Sequence, residues 1–307
     1  MKNMKALMIL VLPIIAVVAI SGCLGGTVVG TGNGIVIEEF KPTLTTVYSD
    51  QEVGLLLKIE NQGEAEAQDI RALIFGINSD EWNADEEKNL YDLLGVDPVT
   101  SVAGGTKIVQ WTQMRAPYLA PSLEHIYTPK VRVSYDYATS AIKPITIVDK
   151  DEMVRLIQEG EIIPTGVTTY TAGPLSVDVT TGTYAIGDTY TDYTFNLQVY
   201  VTNLWWGSNG RVESENSPYG DSDDLYPLEM MITLPDELSF ESSWDQPGCS
   251  YSYDDISMWD GHTAEITCAL RVDDAPEVMT EGLIQVDLRY RFSVDAFTTI
   301  EVTGTEY

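Results

Sequence analysis

Histidine, cysteine and catalytic signatures are scarce in this chain, and each scarcity excludes a class of protein. The 307 residues include two histidines, His125 and His262, and three cysteines. Neither histidine has a nearby cysteine or a second histidine at metal-ligand spacing, so we interpret both as surface or loop residues. The sequence contains no Gly-x-Ser-x-Gly nucleophile elbow and no phosphate-binding glycine loop. These gaps favour a protein that is not an enzyme.

Basic residues are also few. Lysine and arginine number 17 against 47 aspartates and glutamates, and the net charge is -30. Residues 165–307 hold four basic and 25 acidic side chains, with no lysine. Such a surface repels phosphate backbones, so we predict no nucleic-acid partner. The acidic excess keeps an exposed protein soluble, or it attracts cations and basic partners.

Long apolar runs are absent except at the N-terminus. After a short basic start, residues 6–20 form an apolar run of 15 residues, shorter than the roughly 20 that a membrane span needs and typical of a signal peptide. The run leads into AISGC at residues 19–23, which resembles the lipobox of secreted lipoproteins. The resemblance implies removal of residues 1–22 and a lipid on Cys23. The body of the protein would then lie at the cell surface, anchored to the outer face of the cytoplasmic membrane.

The other two cysteines, Cys249 and Cys268, form an even pair in an exported chain, where disulfides persist. Their separation is 19 positions, and a bridge closing a loop of this size stabilises a fold by roughly 3 kcal/mol. The alternative is a pair of free, buried thiols.

Alternation of apolar and polar residues dominates the rest of the sequence. Val53, Leu55, Leu57 and Ile59 alternate with mostly polar neighbours, and residues 193–202 repeat the pattern. A period of two is typical of half-buried strands. Many such strands separated by turn signals predict an all-β fold, with antiparallel sheets paired into immunoglobulin-like sandwiches.

Composition divides the chain into a tether and two sandwich domains. Residues 23–34 are glycine-rich and predict a flexible tether. We assign residues 35–148 to the first sandwich and residues 165–307 to the second. Between them, residues 149–164 carry apolar side chains at helical spacing, and Asp149 or Asp151 can begin a helix that Gly160 ends.

The two halves of the chain resemble each other weakly. Asn61 and Asn203 each follow an alternating strand and begin a turn. Each half also closes with a tyrosine-rich strand, VRVSYDY at residues 131–137 and VDLRYRF at residues 286–292. The pattern indicates two related sandwiches in tandem.

Residues 35–75 resemble the adhesion-type sandwich repeats of archaeal surface proteins and are similar to the CARDB family. The shared features are an opening strand, Tyr48-Ser49 before Val53, an Asn-x-Gly turn at residues 61–63, and an Ala-x-x-x-Ile-x-Ala-like strand at residues 67–72. The resemblance implies an immunoglobulin-like fold, an extracellular setting, and a role in adhesion or envelope structure. It brings no catalytic residues.

Acidic residues cluster in one loop-rich stretch: Glu213, Glu215, Asp221, Asp223 and Asp224. Hard cations such as calcium prefer several oxygen ligands from such a loop. The stretch lacks the order of a calcium loop, so a solvated acidic loop is the competing interpretation. We therefore expect no cofactor, with calcium as the alternative.

Trp205 and Trp206 follow an alternating strand and precede a glycine. If exposed, the two rings would make a platform for a sugar or a partner protein. If buried, they would close the end of the sandwich, and tryptophan is usually largely buried. The two possibilities stay open at the level of sequence.

These features predict a non-enzymatic surface lipoprotein with a structural, adhesive or envelope-assembly role. Its expected contacts are the membrane, through the lipid, and a surface or envelope protein. The alternative is an extracellular module that captures a carbohydrate, calcium or a peptide for a transporter or enzyme. A hydrolase would need two carboxylates converging in a cleft, and the sequence does not fix their separation.

Overall fold

A computed structural model describes residues 34–182, 184–188, 193–213, 226–241 and 248–305 of the chain. The predicted signal peptide, Cys23 and the predicted tether as far as Asn33 lie outside these residues. Within the described ranges, no helix is long and apolar enough to cross a membrane.

The described residues form nineteen strands and two short helices. The strands are β1 (Ile35–Pro42), β2 (Thr46–Tyr48), β3 (Glu52–Asn61), β4 (Gln68–Phe75), β5 (Glu87–Asn89), β6 (Thr106–Arg115), β7 (Glu124–Tyr127), β8 (Lys130–Asp149), β9 (Thr169–Tyr170), β10 (Leu175–Thr180), β11 (Ala185–Gly187), β12 (Thr194–Asn203), β13 (Gly210–Glu213), β14 (Tyr226–Thr233), β15 (Leu238–Phe240), β16 (Asp254–Met258), β17 (Thr263–Val272), β18 (Met279–Phe297) and β19 (Ile300–Thr303). The helices are α1 (Ser79–Trp82) and α2 (Lys150–Glu159).

Nearly all strand pairs are antiparallel, and β11 with β8 and β19 with β2 are the parallel exceptions among the described pairs. Alternating side chains are buried as the period of two predicts. In β12, for example, Leu197, Val199 and Val201 are fully buried while their neighbours are partly exposed. The predicted all-β fold with antiparallel sheets is confirmed.

One long sheet organises the molecule, in the order β16-β14-β18-β8-β4-β5. Its centre is the antiparallel pair of β8 and β18, registered from Val148 opposite Met279 to Lys130 opposite Phe297. Two smaller sheets, β1-β3-β6 and β10-β12-β17-β15, pack on the same face, because β1 contacts β18 and β10 contacts β8. A short sheet, β2-β19-β7, brings the chain's last strand beside the first half. The layers form sandwiches with a shared core.

Backbone pairing joins the two ranges that the sequence assigns to separate sandwiches. Strand β8 ends the range 35–148, whereas β18 lies near the end of the range 165–307, and the two strands pair along their whole length. Strand β19 then pairs with β2 and β7 of the first range. The division of the chain into two domains at residues 149–164 stays a prediction. Backbone hydrogen bonds within the sheets join strands before this division to strands after it.

An approximate twofold relation exchanges the two halves. The amide of Asn61 donates to Gly105 O (2.9 Å), and the amide of Asn203 donates to His262 O (2.8 Å). The next amides, of Gln62 and Leu204, donate to the carbonyls of Gly34 (2.7 Å) and Pro174 (3.0 Å) respectively, each just before the opening strand of its half. The weak sequence resemblance therefore corresponds to equivalent backbone positions.

Four aromatic residues of β8 and β18 meet where the halves join: Tyr135, Tyr137, Tyr290 and Phe292. Their ring centroids lie 5.9 to 6.4 Å apart. Tyr135 accepts a hydrogen bond from the amide of Ile35 (3.1 Å), and Tyr290 bonds to Thr139 (2.8 Å) and to the backbone of Leu175. Ile35 and Leu175 open the equivalent strands β1 and β10, so the two tyrosines have matching partners.

These buried hydroxyls predict a loss of stability at alkaline pH. Burial raises the pKa of Tyr135, Tyr137 and Tyr290 well above 10.0. The unfolded chain releases these protons near pH 10, whereas the folded chain keeps them, so stability is complete below that pH and falls as the pH rises further. Each tyrosine contributes a slope of up to about 1.4 kcal/mol per pH unit. Urea unfolding from about pH 8 to 11 measures the slope.

The matched variants are Tyr290→Phe and Tyr91→Phe. Tyr91 is 81% exposed, so its replacement should leave the alkaline slope unchanged. The Tyr290→Phe substitution should reduce the slope, whatever it does to stability at neutral pH. An identical slope in all three proteins would show that the buried hydroxyls do not control alkaline unfolding.

The helix predicted between residues 149 and 160 is present as α2. Asp149 caps its start, where the carboxylate accepts hydrogen bonds from the amides of Asp151 and Glu152. Gly160 ends it in the left-handed conformation at φ 73°, as helix C-caps commonly do. At α1, by contrast, Asn78 is the N-cap and Asn83 lies at the C-terminal end. Residues 80–94 predict a loop with a short helix that Asn83 caps at its start. This cap is wrong, because the N-cap is Asn78, five positions earlier, and Asn83 is the C-cap.

The predicted disulfide between Cys249 and Cys268 is present. Cys268 is almost fully buried on β17, and Cys249 is partly buried against the core in the segment before β16. The bridge therefore links the segment before β16 to β17, an inner strand of the sheet β10-β12-β17-β15. A loop of this length corresponds to a stabilisation of roughly 3 kcal/mol.

Candidate functional site

Exposed aromatic side chains lie on two turns of the second half, the turn after β12 and the turn between β16 and β17. We name Leu204, Trp206, Trp259 and His262 the aromatic patch. Trp206 is 53% exposed and Trp259 is 83% exposed. The rings of Trp206 and His262 lie 4.6 Å apart at 31°, and the indole nitrogen of Trp206 donates to Asp260 O (3.4 Å). Trp206 therefore contacts the turn that carries Trp259, and neighbouring exposed aromatic side chains often mark a contact surface.

A tight turn presents Trp259. Its central residues, Asp260 and Gly261, have φ of 51° and 62°, and Asp-Gly is a preferred pair for turns with two positive φ angles. A side chain at Gly261 would also meet the ring of Tyr226 at 3.1 Å. The amide of His262 donates to Trp259 O (2.9 Å) and closes the turn. The aromatic side chains therefore project from a defined backbone rather than from a loose loop.

Asn203 connects the two loops of the aromatic patch. It is almost fully buried. Its side chain accepts a hydrogen bond from the amide of Trp205 (2.9 Å) and donates to Gly261 O (3.1 Å). Because one side chain fixes both turns, the aromatic patch is organised before any ligand arrives, which lowers the entropic cost of binding.

The two adjacent tryptophans of the sequence have different environments. Trp205 is partly buried and packs against the core, and its side chain lies beside Gly210. Trp206 points to the exposed side of the same turn. Trp205 therefore packs against the core, whereas Trp206 is exposed. The use of Trp206 as a ligand platform stays a prediction. Sequence reasoning missed Trp259, although the Trp-Asp-Gly-His order around a tight turn was a usable signal.

Glu213 is the member of the acidic stretch that the structure describes. It is buried on β13, with its carboxylate 3.6 Å from the guanidinium of Arg132. Glu215, Asp221, Asp223 and Asp224 lie outside the described residues. Within the described residues, no group of three or more histidine, cysteine or acidic side chains is placed to hold a metal ion. A calcium site in this stretch stays a prediction, in which Glu213 already has a cationic partner.

The equivalent position of the first half holds a groove instead of aromatic rings. We name this groove the acidic groove, and its volume is about 820 Å³. Its lining residues are Glu64, Glu66, residues 92–98, residues 102–103, Gly105 and Thr106. Gly105 occupies the backbone position that His262 takes in the aromatic patch. The twofold relation therefore places two different surfaces at corresponding sites.

No known family profile matches the chain, and no curated protein matches it. Among solved structures, the collagen-binding domain of the Erysipelothrix rhusiopathiae surface protein RspB is 8% identical, with a TM-score of 0.14 over 90% of this chain and 92% of that one. The CsuC–CsuE chaperone–tip adhesion subunit complex of Acinetobacter baumannii is 9% identical, with a TM-score of 0.15 over 87% and 100% of the two chains. The Enterococcus faecalis protein ACE is 7% identical, with a TM-score of 0.13 over 88% of this chain and 95% of that one. Likenesses at these TM-scores carry no argument about fold or ligand.

Proposed function

We propose that the chain is a non-enzymatic protein of the cell surface, exported and held at the membrane by a lipid on Cys23. Its role is adhesion or envelope assembly, and it binds a partner protein through the aromatic patch. The observation that carries the proposal is the pair Trp206 and Trp259, both exposed and both on turns that the buried Asn203 joins. Tryptophan is among the residues that dominate the energy of protein interfaces.

The electrostatics of the described residues support a binding role over catalysis. Strongly shifted pKa values often mark active sites. Here the largest shifts among the described residues belong to the core tyrosines Tyr135, Tyr137 and Tyr290, which are buried and hydrogen-bonded inside the sandwich. All three are core residues, at most 6% exposed. The exposed surface presents aromatic rings and carboxylates instead, which suits recognition.

Replacing both exposed tryptophans should abolish binding without unfolding the protein. We expect Trp206→Ala/Trp259→Ala to weaken binding by about 30-fold or more, the loss typical of interface hot spots. Stability should change by less than about 1 kcal/mol because the side chains are largely exposed. The measurement is binding of the labelled full-length protein to envelope fragments from cells of its own source that lack the gene.

The matched control is Phe297→Ala, which removes an aromatic ring that is 67% exposed on the last residue of β18, and it should leave binding intact. Protease treatment of the fragments should abolish binding. Survival of binding after protease, with loss after periodate oxidation of sugars, would contradict a protein partner and assign the aromatic patch to a carbohydrate. Equal binding by the double variant and the unmodified protein would refute the role of the aromatic patch.

A further inference from the structure

The acidic groove has an apolar wall that is open to solvent. Leu94 is 69% exposed and Val102 is 58% exposed, and both line the groove together with Val96 and Pro98. Apolar side chains left exposed together within a concave surface indicate a contact site more often than a bare surface.

The backbone of the groove is fixed by hydrogen bonds to neighbouring segments. The amide of Val96 donates to Gly63 O (2.7 Å), and the amide of Gly105 donates to Leu94 O (2.8 Å). Leu93 exchanges both backbone hydrogen bonds with Ala67. The groove is therefore preformed, so a ligand need not order it.

The rim of the groove carries charge of one sign. Its ionisable lining residues are Glu64, Glu66, Asp92 and Asp97, and no lysine or arginine from the part of the chain that the structure describes lines it. Hydrogen bonds from Thr100 and Val99 lower the pKa of Asp97, so its carboxylate stays ionised at neutral pH. The net charge of -30 adds a long-range field that draws positive partners towards such a rim.

We propose that the acidic groove docks an extended peptide segment of a partner protein, in which lysine or arginine side chains alternate with apolar ones. The apolar side chains rest on Leu94 and Val102, and the cations lie against Glu66 and Asp92 on the rim. The complementarity of both kinds of contact selects this occupant. A purely cationic ligand would leave the apolar wall in water. A purely apolar ligand would leave the carboxylates, which accept hydrogen bonds from the protein, without a neutralising cation. The site is separate from the aromatic patch and uses none of its residues.

The probe is a fluorescein-labelled octapeptide of alternating lysine and leucine, titrated into the full-length protein at about 0.15 M salt, where distant charges are largely screened. We expect Glu66→Gln/Asp92→Asn to raise the dissociation constant by at least about tenfold. The control, Asp274→Asn/Glu277→Gln, removes the same charge from an exposed turn of the second half. It should change the dissociation constant by less than about twofold. Equal weakening in both variants would overturn the proposal, because only the general field would then act.

Two further outcomes decide the apolar part of the proposal. A lysine–serine peptide of equal charge should bind the unmodified protein more weakly than the lysine–leucine peptide. Leu94→Ser should weaken binding of the lysine–leucine peptide but not of the lysine–serine peptide. Because the side chain of Leu94 is exposed, the substitution should leave folding intact. Equal affinity for the two peptides, or no measurable binding, would refute docking in the groove. The double tryptophan variant should bind the peptide normally, so this test and the test of the aromatic patch fail independently.

Discussion

Phe292→Ala is expected to lower the free energy of unfolding by about 3–5 kcal/mol, the usual cost of removing a buried phenylalanine. Phe292 is fully buried on β18, with its ring 6.0 Å from that of Tyr135 and 6.4 Å from that of Tyr290. Because β18 pairs with β8 along its whole length, the loss should reach both halves. Hydrogen exchange should show lower protection in β3 and in β12 to the same extent.

The control for this substitution lies on the same strand. Phe297 is 67% exposed, and Phe297→Ala should cost no more than about 0.5 kcal/mol. A loss of protection confined to one half after Phe292→Ala would contradict the shared core. It would mean that the two sandwiches unfold independently despite the strand pairing that joins them.

Arg132→Met should be nearly as destabilising, at about 3–5 kcal/mol, because it removes the nearer of the two cations beside the buried carboxylate of Glu213, Arg132 at 3.6 Å and Arg211 at 4.0 Å. The side chain of Arg132 is 7% exposed and that of Glu213 is 4% exposed. Arg132 also donates two hydrogen bonds to the carboxylate of Asp295, at 2.8 and 2.9 Å. Since Arg132 lies on β8 and its two partners lie on β13 and β18, the cluster links strands that are distant in sequence. Urea unfolding measures the loss.

A double variant separates the charge from the packing. Arg132→Met/Glu213→Gln should recover part of the stability, because the buried side chain at position 213 becomes neutral. The exposed pair of Arg115 and Glu52 supplies the comparison, since Arg115→Met should cost less than about 1 kcal/mol. Similar losses for the two arginine substitutions would show that burial of the cluster contributes nothing.

Local patterns in the sequence were sufficient for the strands and for one helix. The alternation of Val53, Leu55, Leu57 and Ile59 corresponds to buried positions on β3. Asp149 and Gly160 mark the ends of α2. In each case the signal lies within a few residues of the feature, because side-chain period and capping are local properties.

The pairing of β8 with β18 could not be predicted in this way. Alternation shows which face of a strand is buried, but it does not name the neighbouring strand. The partners are separated by more than a hundred positions, as Val131 and Ala296 illustrate. For the same reason, only part of the aromatic patch could be predicted from the sequence. Trp206 stood out in the sequence, whereas Trp259 joins it only because Asn203 binds both turns.

The late position of β18 has a consequence for how the chain acquires its fold. Phe292, Val294, Ile300 and Val302 belong to the same core cluster as Val53 of β3, although they follow that strand by more than 200 positions. A chain that emerges N-terminus first therefore carries β1 to β8 as an incomplete sandwich until β18 and β19 have been synthesised. Contacts between segments so far apart form slowly. Both sandwiches should therefore be completed in one step that waits for β18, because that strand pairs with β8 and contributes to the shared core.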